Sequence, residues 1–480
     1  MTPTVSVAVL APTLIVVGTG LLVLLLDLRP ARGGERAGLG TLALLGLVAA
    51  LLATLALWGG RGRAFRDMVV LDNYALFFHI VIGYAAALIV LLSMDYLRPH
   101  RAESGEVYAL VLFSTAGMLL LASAGDLIVV FLAIELMSLS LYVLAGLFKR
   151  RREAGEASMK YFLLGVFASA FLLYGIALLY GAAGSTNLDR VAAAVAARPG
   201  DPLLVAGLGL VMVGFGFKIA SVPFHMWAPD VYEGAPTSIT ALIATGSKAA
   251  VFAALLRLAA AALRQQPDWT PLLWGLAGLT MTVGNVVAIA QSSVKRMLAY
   301  SSVAHVGYLL VGVVAGGPAG AAAVLFYLLA YTFTTVGTFG VLTLLERAGE
   351  DAVDVRDFAG LGRRHPVLAL VLALFLLSLI GVPPLAGFVG KFYLFGAAVQ
   401  AGYLGLAVLG VLNSAVAAYY YLRVIVYMYM REPEGSAAGV RPSFAGGLAL
   451  TIALAGIVLL GVVPAPFVDL AQAAVAPLVR

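Results

Sequence analysis

Cysteine is absent from the 480 residues. That absence excludes disulfides, iron–sulfur clusters, thiolate metal sites and cysteine nucleophiles. Any redox chemistry near this chain must therefore be done by another one. Charge is also scarce: 11% of residues are charged, against roughly 25% in a soluble domain. There is no soluble domain and no linker long enough to join one. The longest polar loop, 346–365, reads as a solvated connector. Nucleotide-binding loops are missing as well. Gly214 and Gly216 follow no strand, and Gly390-Lys391 precedes Phe392 where a phosphate loop needs Ser or Thr. The net charge of +6 does not point to nucleic acid, because the arginines sit in short loops between apolar runs, where membrane proteins place them.

What remains is apolar: 62% of residues are hydrophobic and the mean hydropathy is +1.02. The fold class is an all-α polytopic membrane protein, one membrane domain over 1–480 in contact with the lipid bilayer. A hydrocarbon core of ~30 Å takes about 20 apolar residues per helix. That ruler predicts spans near 5–27, 38–59, 72–94, 107–124, 126–147, 158–182 and 203–223, then 236–262, 270–292, 297–316, 319–345, 366–399, 402–430 and 444–472. The first run lacks a basic lead and is too long for a signal-peptide core, so it reads as a span. The run 366–399 is too long for one straight helix and holds Gly381, Pro383, Pro384, Gly387 and Gly390 before Lys391, which predicts a broken helix. The region 203–236 is interrupted likewise, by Pro223, Pro229 and Pro236 among His225, Trp227, Asp230 and Glu233. Broken backbone at membrane depth is tolerated only where protein or a wet cavity satisfies it. Val222-Pro223 and Val382-Pro383 lie five spans apart, an odd offset that gives the two copies opposite orientations, as in inverted-repeat transporters. With the N-terminus outside, seventeen of the Lys and Arg residues near span ends fall in cytoplasmic loops and seven outside, so both termini are expected outside.

Lysine is the informative residue. Six lysines stand against twenty-four arginines, and Lys218, Lys248 and Lys391 lie deep in apolar spans. Arginine cannot release its proton in a protein, whereas a desolvated lysine can. The composition thus favours proton handling over static charge pairing, and lysine in a broken helix marks a transporter core. The competing reading is a loop whose lysines snorkel to the surface. One acid matches these lysines: Glu135, nine residues after Asp126 and so ~13 Å down a helix, near the midplane. Its alternative is a neutral acid bonded to a carbonyl. His225, in the first break, and His305, near mid-span, are relay candidates because imidazole titrates near neutrality; each also fits a satisfied core histidine. Lys160 faces either a cavity or the interface. Lys295, beside Arg296, reads as an edge charge, and Tyr419, Tyr420, Tyr421, Tyr427 and Tyr429 as packing and an interfacial belt.

The segments EASMKYFLLG (156–165), KIASVPFHMWAPDVYEGAP (218–236), SKAAVFAALLR (247–257) and SSVKRMLAYSSVAHVGY (292–308) closely resemble the subunit N family of proton-pumping NADH:quinone oxidoreductase, respiratory complex I. These are antiporter-like membrane subunits, related to subunits of sodium/proton antiporters. The resemblance covers roughly residues 5–470. It implies fourteen spans with two inverted five-helix repeats, near 107–262 and 270–430, flanked by 1–106 and 431–480. It matches the fifth-span acid to Glu135, the lysine of the broken seventh span to Lys218, the eighth-span lysine to Lys248 and the twelfth-span lysine to Lys391. Sister subunits carry glutamate at that last position or a long C-terminal extension, so Lys391 and the end at Arg480 argue against them. The resemblance further implies a chain without cofactor, with NADH, flavin (FMN), iron–sulfur clusters and quinone on partner subunits of the membrane and hydrophilic arms, in a bacterial inner membrane. Glu135–Lys218 would be a coupled pair, Lys248 a relay and Lys391 the exit-side site, titrating as a set. A cation/proton antiporter subunit, a purely structural subunit and a quinone- or haem-binding protein are the other readings.

Overall fold

In hydrocarbon every backbone N–H and C=O needs a partner within its own segment, so long apolar runs fold as helices. The computed structural model describes residues 7–28, 37–98, 100, 102, 104–263, 269–346, 354–432 and 443–478. Several arginines behind the expected charge bias (Arg29, Arg32, Arg36, Arg101, Arg264, Arg347, Arg441, Arg480) lie outside the described residues. The helices are α1 (Val7–Asp27), α2 (Ala37–Ala56), α3 (Asn73–Tyr96), α4 (Gly105–Ala122), α5 (Leu127–Ala145), α6 (Arg152–Ala183), α7 (Leu188–Ala197), α8 (Pro202–Ile219), α9 (Ala228–Gly234) and α10 (Thr237–Ala244). They continue as α11 (Gly246–Ala261), α12 (Trp269–Ile289), α13 (Val294–Ala315), α14 (Gly317–Leu345), α15 (Leu361–Arg364), α16 (Pro366–Ile380), α17 (Ala386–Gln400), α18 (Leu404–Met430), α19 (Phe444–Val462) and α20 (Ala465–Val475). Among the described residues, thirteen segments are long and apolar enough to cross a membrane, α10 and α11 counting as one. The broken pair α16–α17 supplies one more, matching the expected fourteen.

Both expected breaks are present, and they are built alike. α8 ends at Ile219 with Ala220 left-handed (φ 61°), and α16 ends at Ile380 with Gly381 left-handed (φ 95°). Each turn is followed by Val-Pro.

Three features of the connections and the C-terminal end were not expected. A short antiparallel hairpin, β1 (Gly62–Ala64) with β2 (Val69–Leu71), joins α2 to α3; three-residue strands are too short for a periodic signal. α7 is amphipathic, burying Leu188, Val191 and Val195 behind an Asn187 cap. The last expected span stops at Val462, because Pro464 interrupts it before α20, as a helix-interior proline does.

Alternating crossings put loops on two faces. On the hairpin face Val69 bridges Ala124 and Asp126 bridges Asn187. Arg257, near the end of α11, makes a bidentate pair with Asp72 at 2.8 and 3.0 Å. This pair forms part of the wall of a cleft of about 590 Å³ that Arg61, Arg63, Asp67 and Asp189 also line. On the opposite face Ser293 bridges Asp354, Asp27 accepts from the Gly105 amide (3.0 Å) and Asp95 from Ser443 (2.8 Å). The stretch expected as a solvated connector is partly packed there: Phe358 and Leu361 are buried and the Gly360 amide donates to the Tyr427 carbonyl.

α3, α10, α11, α13 and α14 form a central column whose side chains are nearly all buried. The outer helices turn residues such as Leu25, Leu52, Phe167, Leu279 and Leu412 outward. Lipid tails give no hydrophobic drive between helices, so close backbone approach must hold them. A Cβ on Gly284 of α12 would meet the Ala304 nitrogen of α13 at 2.6 Å. That contact fixes α13, which carries the central polar residues.

Candidate functional site

Lys218 sits in the last turn of α8 and is 4% exposed. The Trp227 indole donates to the Phe217 carbonyl at 2.9 Å, taking up one backbone group freed by the break. The Lys218 ammonium donates to Ser138 Oγ at 2.7 Å and Tyr142 Oη at 3.0 Å, both on α5. Glu135 is on the same helix but forms no ion pair with Lys218; its carboxylate accepts from the Ser169 hydroxyl of α6. The expected direct pair is therefore not closed here. The reason is register: the end of α8 stands level with Ser138 and Tyr142, one and two turns along α5 from the acid. No one-chain pattern reveals how two helices slide against each other.

Lys248 lies on the first turn of α11, just past an unexpected interruption at Thr245, and is 1% exposed. Its ammonium donates to the Ser302 carbonyl (3.1 Å) and contacts the Ser302 hydroxyl. That hydroxyl also meets Tyr331 Oη at 2.7 Å and Tyr232 Oη at 3.2 Å. One turn along α13, His305 Nδ1 bonds Tyr327 Oη at 2.6 Å and Nε2 bonds Tyr421 Oη at 3.2 Å. Tyr421 in turn contacts the Ser301 hydroxyl, and Tyr420 donates to Asn285 Oδ1 at 2.9 Å. Of the tyrosines expected as packing and an interfacial belt, Tyr420 and Tyr421 are wholly buried, while Tyr419 is outward. Their helical phase differs by one residue, which crowding in sequence hides.

Lys391, on α17, turns back across its own break. Its ammonium donates to the Leu379 carbonyl at 3.0 Å and the Ile380 carbonyl at 2.9 Å, and lies 4.7 Å from the centre of the Tyr308 ring. A helix leaves its last carbonyls unsatisfied and carries partial negative charge there. Lys391 is thus the cap of α16.

The three lysines stand at different depths. Counted along α8, α11 and α17 at 1.5 Å per residue, Lys218, Lys248 and Lys391 lie ~24, ~20 and ~14 Å from the hairpin face.

Lys160, His225 and Lys295 gather around the first break. Lys160 is partly exposed and pairs with Glu156 (2.5 Å) and Asp230 (2.7 Å). Asp230 also pairs with Arg296 (2.8 Å), which holds Glu233 as well (2.8 Å). Partial burial raises the Asp230 carboxyl, but the bonds from Lys160 and Arg296 outweigh it and hold it below the ordinary carboxylate range. Lys295, in the first turn of α13, is at the membrane edge as expected but is 1% exposed and donates to the Ala235 carbonyl at 3.2 Å. His225 is half-buried with its ring near Tyr300 and has no bond to the lysine row. Burial lowers its imidazole below the usual range. Among the described residues no group of three His, Asp or Glu side chains is placed to hold a metal. His79, buried on α3, bonds Ser123 and the Leu119 carbonyl.

The arrangement is a row of buried lysines whose partners are hydroxyls and carbonyls, with Ser302, His305 and several tyrosines packed between Lys248 and Lys391. Comparison with known proteins agrees with this architecture. Residues 124–417 match the family described as NADH:quinone oxidoreductase/Mrp antiporter, TM. NADH-quinone oxidoreductase subunit N of Trichlorobacter lovleyi is 48% identical over 98% of this chain and 97% of its own. The subunit of the same name from Chloroflexus aggregans is 46% identical over 98% and 97%. A chain of respiratory complex I from Thermus thermophilus, solved with bound aureothin, superposes with a TM-score of 0.83 at 39% identity over 96% of this chain and 99% of that one. A chain of the Mrp complex of a Dietzia species shares the fold, with a TM-score of 0.84 at 22% identity over 99% and 98%. With its lysine row, its two Val-Pro breaks and near-full-length relatives agreeing, the chain belongs to the subunit N family of the NADH:quinone oxidoreductase/Mrp antiporter membrane proteins.

Proposed function

We propose that this chain moves protons across the bacterial inner membrane as a membrane-arm subunit of NADH:quinone oxidoreductase, driven by electron transfer on partner chains. NADH, FMN, iron–sulfur clusters and quinone belong to those partners, and this chain holds no cofactor. The single observation that carries the reading is the partner set of Lys218, Lys248 and Lys391, each at most 5% exposed and bonded only to neutral oxygens. An ammonium so placed is favoured by no fixed counter-charge, so it can gain and lose its proton; a guanidinium cannot. Lys218 loads, with Glu135 acting through the hydroxyls between them. Lys248 passes the proton to Ser302 and Tyr331, whose ring centre lies 5.1 Å from that of His305, and Lys391 delivers it. Lys160 and His225 serve the mouth of the first break. The units are inverted repeats over 107–262 and 270–430 with flanks 1–106 and 431–480, and the hairpin face, with both termini, is outside.

The test is Lys248→Arg and Lys391→Arg in vesicles, reading proton uptake against electron-transfer rate. Both variants should assemble and transfer electrons with fewer protons moved. Wild-type uptake in both would show that the lysines act as fixed charges, ending the relay reading.

A further inference from the structure

We infer that Asp230 is a positioning residue through which the Lys218 and Lys248 sites sense each other. Its two carboxylate oxygens serve different helices: Oδ2 accepts from Lys160 of α6 at 2.7 Å and Oδ1 from Arg296 of α13 at 2.8 Å. Asp230 itself belongs to α9, inside the first break.

One limb from Asp230 ends at Lys218. Tyr161, next to Lys160, stacks on Trp227 with ring centres 4.5 Å apart and meets Tyr142 edge-on at 4.7 Å. Tyr142 is an acceptor for the Lys218 ammonium, and Trp227 bonds the carbonyl of Phe217, the residue before it. Displacing α6 or α9 therefore moves groups on both sides of Lys218. The other limb ends at Lys248. Arg296 is in the first turn of α13, and Ser302, the partner of Lys248, lies six residues along the same helix. Tyr232, two residues past Asp230, reaches the Ser302 hydroxyl as well. Both limbs meet at one carboxylate. Coupling between sites needs an element that both bias, and this ion-paired unit of α6, α9 and α13 is contiguous from one lysine to the other.

The outer members of the network make the test clean. Without Asp230, Lys160 retains Glu156 and Arg296 retains Glu233, so neither cation is stranded and assembly should survive. The proposal rests on the relay reading, and the experiment separates the two. The whole complex in vesicles is assayed for protons moved per electron with Asp230→Asn, Asp230→Glu, Lys160→Met, Arg296→Gln, the last two combined, and Lys248→Arg as reference. Asp230→Asn should lose at least half of the pumping that Lys248→Arg loses, and Asp230→Glu should recover most of it. The Lys160→Met/Arg296→Gln combination should lose less than the two single losses added, since both act through one carboxylate. A wild-type ratio in Asp230→Asn beside a defective Lys248→Arg would overturn the positioning role alone. So would a Glu variant no better than Asn, or additive singles. A wild-type ratio in Lys248→Arg would overturn the relay reading and this inference with it.

Discussion

The two broken helices solve one problem in opposite ways. At the first break, α8 ends in carbonyls that neighbours take up: Trp227 bonds Phe217, and the Ser221 amide bonds Gly216. Lys218 is left free to reach across to hydroxyls on α5. At the second, the lysine is itself the neighbour, because Lys391 supplies the donors for Leu379 and Ile380. A lysine that answers to another helix can report a change there. One that caps its own helix ties the proton it carries to the integrity of that helix.

The sharpest way to break this contrast is to delete each ammonium. Lys391→Met should abolish its share of pumping and also destabilise the subunit by about 2–4 kcal/mol, since two buried carbonyls lose their partners. Lys218→Met should pump as poorly yet cost less than about 1 kcal/mol, because the Ser138 hydroxyl already donates to the Ile134 carbonyl and hydroxyls are spared a buried charge. Thermal unfolding of the purified complexes, followed by subunit release, would compare them; equal losses would remove the distinction. Gly381→Ala comes next, at about 2 kcal/mol. Its φ of 95° disfavours a side chain, and the new Cβ would lie 3.1 Å from Lys391 Cδ. Ala220→Gly at the first break should change stability by less than about 0.5 kcal/mol, relief of the left-handed alanine offsetting a looser unfolded chain.

Trp227→Phe keeps the ring but removes the bond to Phe217, at a cost of about 1–1.5 kcal/mol, and it should raise amide exchange in α8 while leaving α16 unchanged. The smallest effect is on acid. The folded Asp230 carboxyl lies below its unfolded value, so its contribution is complete above the ordinary carboxylate range and disappears as pH falls through the folded value. Lowering pH from about 6 to about 3 should therefore reduce amide protection, measured relative to the intrinsic exchange rate at each pH, in α9 more than in α17, where Lys391 has no carboxylate partner. Equal loss of protection in both would indicate that the ion pairs do not hold the first break.

Much of this was legible in one dimension. Fourteen crossings follow from the length of apolar runs, and both breaks from proline and glycine inside them. The burial of Lys218, Lys248 and Lys391 follows from their distance to any polar loop. What escaped was relational. Glu135 and Lys218 are each visible, but whether they touch depends on the sliding of α5 against α8. Tyr420 and Tyr421 look like their outward neighbour Tyr419 until helix phase turns them toward Asn285 and Ser301. Lys295 resembles Arg296 in sequence, and one residue of rotation buries the first against the Ala235 carbonyl and leaves the second half-exposed between Asp230 and Glu233. The interruption at Thr245 carries no proline or glycine before it and was silent.

The stepped depths of the three lysines also have an electrical meaning. A membrane potential falls mainly across the hydrocarbon, and a full crossing by one charge is worth about 2.3 kcal/mol per 100 mV. From Lys218 to Lys248 a proton rises only ~4 Å, and from Lys248 to Lys391 ~6 Å. In a ~30 Å core the second step would traverse about a fifth of the voltage drop, or about 0.5 kcal/mol per 100 mV. On the proposed route each transfer is thus only weakly opposed by the field, and the largest share of the electrical work, ~14 Å of the ~30 Å core, falls on the passage out of Lys391. A charged membrane should slow that exit step most and each shorter step less.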